Sequence, residues 1–118
     1  MAKAFVHIEL NTQDPANAKK FYGALFDWKL EDMPMPDGTY TMLKPSDGPG
    51  GGMFKPPPGG PTAWIPYVSV ADVVASTKKV TELGGKVMVD NQEVPGMGRF
   101  SIIADPTGGI LGLWQATR

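Results

Sequence analysis

A histidine, a glutamate and an asparagine stand two residues apart in a strand-like stretch, His7-Ile8-Glu9-Leu10-Asn11. Side chains alternate across an extended chain, so His7, Glu9 and Asn11 share one face while Val6, Ile8 and Leu10 share the other. His7 is the only histidine in the chain, and its imidazole is the one side chain whose ordinary pKa lies near neutrality. With Glu9 beside it, His7 is the natural general base if the protein performs chemistry. If it performs none, the same imidazole is a neutral group in a cavity wall, hydrogen-bonded to Glu9, Asn11 or a neighbouring strand.

Other chemistries are excluded by composition. The 118 residues include no cysteine, which removes disulfides, thiolate zinc sites and thiol nucleophiles together. Eleven basic and twelve acidic residues leave a net charge of -1, with neither sign gathered into a block, so nucleic acid and anionic membrane surfaces are not expected partners. No apolar run reaches the roughly 20 residues of a membrane-spanning helix. The opening Met1-Ala2-Lys3-Ala4-Phe5 runs straight into strand-like sequence without a secretory pattern, and a cytoplasmic location is expected.

The elements that position these residues repeat. Sliding the chain by 58 positions lays Asp14 on Asp72, Lys20 on Lys78, Leu25 on Leu83, Asp32 on Asp90, Gly38 on Gly96, Asp47 on Asp105 and Gly50-Gly51 on Gly108-Gly109. Each half opens with an extended segment followed by Asp14 or Asp72 as a helix N-cap, and Pro15 suits the first helical position. Ala18, Phe21, Tyr22, Leu25 and Phe26 then recur at helical spacing, as Val73, Val74, Thr77, Val80 and Leu83 do in the second half, which Gly84-Gly85 ends. Strands are expected over 27–32, 39–44 and 51–55, and again over 86–89, 98–104 and 109–115. The expected fold is α+β: two tandem β-α-β-β-β modules forming a curved mixed sheet around a cavity. Residues 1–118 make a single domain, with module 1 over 1–55, a semi-stiff linker over 56–61 rich in proline and glycine, and module 2 over 62–118.

Strand parity extends the candidate site. Ile65, Tyr67 and Ser69 should lie away from the second helix, as should Ile110, Gly112 and Trp114. A face mixing polar, acidic and aromatic groups suits a ligand cavity better than a sealed core, where unpaired polar groups are costly. Trp114 is placed to stack on a flat ligand. Arg99, beside the loop 93–98, offers a guanidinium that would clamp an anion or form an exposed ion pair. Trp28 and Trp64 are expected to pack rather than bind, and Met33, Met35, Met53 and Met97 to fill gaps near the cavity mouth.

The opening Phe5-Val-His-Ile-Glu-Leu-Asn-Thr-Gln-Asp-Pro-Ala, the segment Ala18-Lys-Lys-Phe-Tyr-Gly-Ala-Leu-Phe-Asp-Trp28 and the ending Gly98-Arg-Phe-Ser-Ile-Ile-Ala-Asp-Pro-Thr-Gly-Gly109 resemble the vicinal oxygen chelate superfamily of glyoxalases, bleomycin-resistance proteins and dioxygenases, in its small bacterial glyoxalase-like form. In metal-using relatives, the first and last strand of each module supply the ligands. Those positions fall here on His7, Phe54, Ile65 and Gly112, of which only His7 could bind a metal. The resemblance therefore implies a small-molecule binder that uses no metal and no cofactor and takes an apolar or aromatic compound in the inter-module cavity. Its ligand-binding residues are His7, Glu9, Asn11, Phe54, Tyr67, Ser69, Arg99 and Trp114. The alternative is a glyoxalase-like lyase or isomerase, or a dioxygenase-related enzyme, with His7 and Glu9 as catalytic residues. Relatives commonly pair, so a homodimer is also expected.

Overall fold

The N-caps read from the sequence start both helices. Asp14 Oδ1 accepts from Asn17 N at 3.2 Å, and Asp72 Oδ1 accepts from Ala75 N at 3.1 Å. A computed structural model describes residues 3–36 and 38–117. The element order is β1 (Phe5–Asn11), α1 (Pro15–Phe26), β2 (Lys29–Met35), β3 (Gly38–Lys44), β4 (Gly50–Phe54), β5 (Ala63–Ser69), α2 (Val73–Glu82), β6 (Lys86–Val94), β7 (Gly98–Ala104) and β8 (Ile110–Ala116). This is the α+β arrangement expected, β-α-β-β-β run twice. Two compact units divide it: His7–Ile65, and residues 66–117 together with residues 3–6.

In the first unit the strand order is β2-β3-β4-β1. β2/β3 and β3/β4 are antiparallel, whereas β4/β1 is parallel. The core gathers Leu10, Leu43 and Met53, with Ala18, Tyr22, Trp28 and Leu30 packed against it. Of the three apolar residues on the face of β1 opposite His7, only Leu10 is buried; Val6 and Ile8 stand 37% and 38% exposed. Ile8 lies opposite Gly51, which offers no side chain to pack against. The expected apolar stripe of α1 divides likewise. Ala18 and Tyr22 meet the core, and Phe21, Leu25 and Phe26 are at least half exposed. The connector keeps irregular backbone and is tied down by Gln13, whose Nε2 donates to Pro57 O at 3.0 Å, with longer bonds to Pro56 O and Gly60 O.

The second unit repeats the topology as β5-β8-β7-β6, with β5/β8 parallel and the other pairs antiparallel. Val73, Ile103 and Leu113 form its core, with Val70, Val80, Val87 and Leu111 around them. α2 is fastened to the sheet by a buried polar chain: Thr77 Oγ1 donates to Val73 O, leaving Ser101 Oγ to donate to Thr77 Oγ1 at 2.7 Å and to accept from Asn91 N at 2.9 Å. β6 runs five residues past its expected end at 89, to Val94. Its register against β7 shifts twice, and Asn91 takes the left-handed conformation, φ 47°. A bulge of this kind carries a strand past a break in its alternation. No helix among the described residues is long and apolar enough to cross a membrane.

Candidate active-site cluster

β1 presents His7, Glu9 and Asn11 on one face, as its alternation requires. The structure adds a partner that strand parity within β1 could not reveal. Tyr40 projects from β3, two strands away across β4, and its hydroxyl lies 2.7 Å from His7 Nε2 while donating to Glu9 Oε1 at 3.1 Å. The imidazole and phenol rings lie 19° from parallel with centroids 6.3 Å apart. What lets a tyrosine reach over a whole strand is the glycine run of β4. Glu9 sits opposite Gly52, His7 opposite Gly50, and Gly52 leaves open the space that the Tyr40 ring occupies. Phe54, opposite both Asn11 and Tyr40, flanks the phenol with ring centroids 6.4 Å apart. His7, Glu9, Asn11 and Phe54 are thus brought to one part of the first unit. Desolvation by burial holds the His7 imidazole below its ordinary pKa of 6.5, so the neutral base is favoured.

The second unit gathers its aromatic candidates in the same manner. Tyr67 is buried with its ring against Gly112, its partner across β5/β8, and Phe100 meets it edge-on at 6.1 Å. Trp114 lies opposite both Ser69 and Phe100, and its ring covers Gly98. Tyr67, Ser69, Phe100 and Trp114 therefore share one face. Arg99 does not join them. It alternates with Phe100, falls in step with Ser101 and Ile103, and spends its guanidinium on the bulge: Nε donates to Asn91 Oδ1 at 2.6 Å, Nη2 to Asn91 O at 3.0 Å, and Glu93 lies 3.9 Å away. Trp28 and Trp64 both pack on Tyr22, with centroids 6.1 and 5.4 Å from it. Met53 is wholly buried in the core, while Met97 is exposed.

Among the described residues no group of three or more His, Cys, Asp or Glu side chains is placed to hold a metal ion, and the residues opposite His7 and Glu9 on β4 are glycines. Sequence reading overlooked Tyr40, Gly52 and Phe100. The signal for the first two was Gly51-Gly52 inside the strand expected over 51–55, since glycine there marks close approach of another group.

With this geometry in view, comparison places the chain in a family. Residues 4–111 match the profile of the Glyoxalase/Bleomycin resistance protein/Dioxygenase superfamily, and the chain belongs to it. Among curated relatives, it is 40% identical over 117 residues to CFP32 of Mycobacterium tuberculosis, whose name suggests a glyoxylase, and 30% identical over 128 residues to the anthracycline biosynthesis protein DnrV of Streptomyces peucetius. The matches take in 94% and 91% of this chain but 45% of each relative, so the chain spans about half their length. Among solved structures, a hypothetical protein of Bacillus halodurans superposes with TM-score 0.77 at 12% identity, covering 100% of this chain and 97% of that one. Streptomyces coelicolor methylmalonyl-CoA epimerase, in complex with 2-nitronate-propionyl-CoA, superposes with TM-score 0.69 at 18% identity over the whole of both chains. Both share the fold.

Proposed function

We propose that this protein binds an aromatic small molecule bearing hydroxyl or carbonyl groups, without a metal ion, on the face of the first module that carries His7. The observation that supports this reading most directly is the hydrogen-bonded chain His7–Tyr40–Glu9. It gathers a base, a phenol and a carboxylate at one spot, beside the glycines of β4. Such a spot supplies the few convergent polar groups that orient a ligand, and Phe54 and Asn11 flank it with apolar and amide surface. The second module carries an aromatic face of its own, with Tyr67 and Trp114 on it and Ser69 opposite Trp114. The name of DnrV directs the choice of probe to polycyclic aromatic compounds. Calorimetric titration with an anthracycline should give a heat of binding that a chelator leaves unchanged and that His7→Ala weakens by about tenfold or more, roughly 1.4 kcal/mol. Binding that appears only with an added divalent metal, or no binding of any aromatic probe in a broad thermal-shift screen, would overturn the reading.

A second reading, a glyoxalase-like lyase or isomerase, is favoured by one observation: burial keeps His7 neutral and therefore competent to take a proton. In that case His7 abstracts the proton and Glu9, through Tyr40, steadies the imidazolium. Turnover unchanged in His7→Ala would exclude it.

We further propose a cytoplasmic homodimer. Phe21, Leu25 and Phe26 leave an apolar stripe on α1 of the kind that pairing covers. Sedimentation should report a dimer that Leu25→Lys dissociates, and a wild-type monomer at high concentration would contradict it.

A further inference from the structure

The bond directions in the cluster fix more than its position. A phenol has one proton to give, and an ionised carboxylate can only accept. At 3.1 Å from Glu9 Oε1, the Tyr40 proton belongs to Glu9, since otherwise two lone-pair oxygens would face each other. Tyr40 Oη must then accept at its 2.7 Å contact with His7, and His7 Nε2 must carry the hydrogen. We infer that Tyr40 is a positioning residue that locks His7 as the Nε2–H tautomer and leaves Nδ1 as the basic nitrogen of the site. The opposite order, with Tyr40 donating to Nε2, requires Glu9 to hold a proton and give it to the phenol. The tautomer of His7 and the ionisation of Glu9 are therefore one choice, made through a hydroxyl on a strand that touches neither residue's own strand.

Gly52 belongs to the same device. A Cβ at this position would lie 1.8 Å from Tyr40 Oη and 2.1 Å from Cζ. The phenol reaches β1 only while residue 52 has no side chain, so Gly52→Ala should expel the hydroxyl from between His7 and Glu9. If the ligand reading above holds, a hydroxyl or acidic C–H of the ligand must come to Nδ1 rather than Nε2; the tautomer assignment itself concerns the unliganded protein and stands apart from that reading.

Because the chain has a single histidine, its imidazole nitrogens can be read without ambiguity by long-range proton–nitrogen correlation on uniformly 15N-labelled protein, at a pH well above the ordinary histidine value of 6.5. The expected result is a wild-type imidazole almost wholly in the Nε2–H form, with Nδ1 showing the shift of an unprotonated nitrogen. In Tyr40→Phe and in Gly52→Ala the pair of signals should move toward a mixture of tautomers, while the backbone amide spectrum of the second module stays in place. A wild-type imidazole found as the Nδ1–H tautomer or already as a mixture overturns the assignment, as does a tautomer unchanged in a folded variant. Should Tyr40→Phe not fold, the wild-type spectrum and Gly52→Ala decide the matter without it.

Discussion

The Tyr40 hydroxyl stands where a side chain at Gly52 would have to be, and the second module repeats the relationship with Tyr67 laid across Gly112, where a Cβ would meet the ring at 2.3 Å. In each module a tyrosine ring lies over a glycine on its last strand. In the first, this carries a hydroxyl from β3 to β1, so the glycine run of β4 is a passage rather than a weakness of the strand.

The three glycines of that run should respond differently to alanine. At Gly50 an added Cβ meets only Leu43 O at 3.5 Å, an ordinary contact, and losing glycine's unfolded-state freedom should leave stability unchanged or raise it by up to about 1 kcal/mol. At Gly51 the Cβ would lie 2.3 Å from Ile8 O, a backbone atom that cannot swing aside, so Gly51→Ala should force β4 from β1 and cost about 3 kcal/mol or more. Gly52→Ala meets the movable end of a side chain and should fall between them. Urea denaturation of the three variants checks the order, and equal costs at Gly50 and Gly51 would contradict the register.

Stability should also depend on pH through His7. Burial lowers its folded pKa below 6.5, so the unfolded chain takes up a proton more readily than the folded one. The stabilisation is complete above 6.5 and is lost as pH falls through that value toward the lower folded pKa. Asp32, held low by Thr41 and then Lys19, and Asp105, held low by Thr107 and then Gly109 N, act in a different window. Their contributions are present above 3.8 and fade only below it. Melting temperatures should therefore decline from neutral pH toward mildly acid pH in the wild type, and His7→Gln should flatten that decline. An equal slope in both proteins would show that another group titrates there.

In the second module, Ser101 links α2 to the bulge of β6. Ser101→Ala removes the acceptor for Asn91 N and the donor to Thr77 in one step. An amide left without that acceptor costs about 1–3 kcal/mol, so the variant should lose that much stability and exchange its Asn91 amide proton faster. Unaltered exchange at Asn91 would mean that the hydroxyl is dispensable to the bulge.

How far the sequence revealed all this depended on the range of the signal. Helix caps at Asp14 and Asp72 are local events, legible from residue type and the apolar spacing that follows. The convergence of His7, Glu9 and Asn11 follows from alternation within a single strand. Tyr40 was hidden because its role depends on which strands are neighbours: β1 pairs in parallel with β4, the last strand of its module, and no local pattern states that pairing. Arg99 was assigned without regard to its alternation with Phe100, and its partner Asn91 sits in a left-handed bulge that no strand periodicity announces. The exposed half of α1 shows the converse, since Phe21, Leu25 and Phe26 have helical spacing and yet stand at least half exposed.

We propose that ligands meet the protein directly at the His7–Tyr40–Glu9 cluster. The most direct measurement is a titration of labelled protein with an anthracycline in the presence of a chelator, following the His7 imidazole and the surrounding amides by NMR. Saturable shifts centred on His7, Glu9 and Tyr40, lost in His7→Ala, are the predicted result. Shifts confined to other surfaces, or shifts at His7 that appear only when a divalent metal is restored, would contradict it.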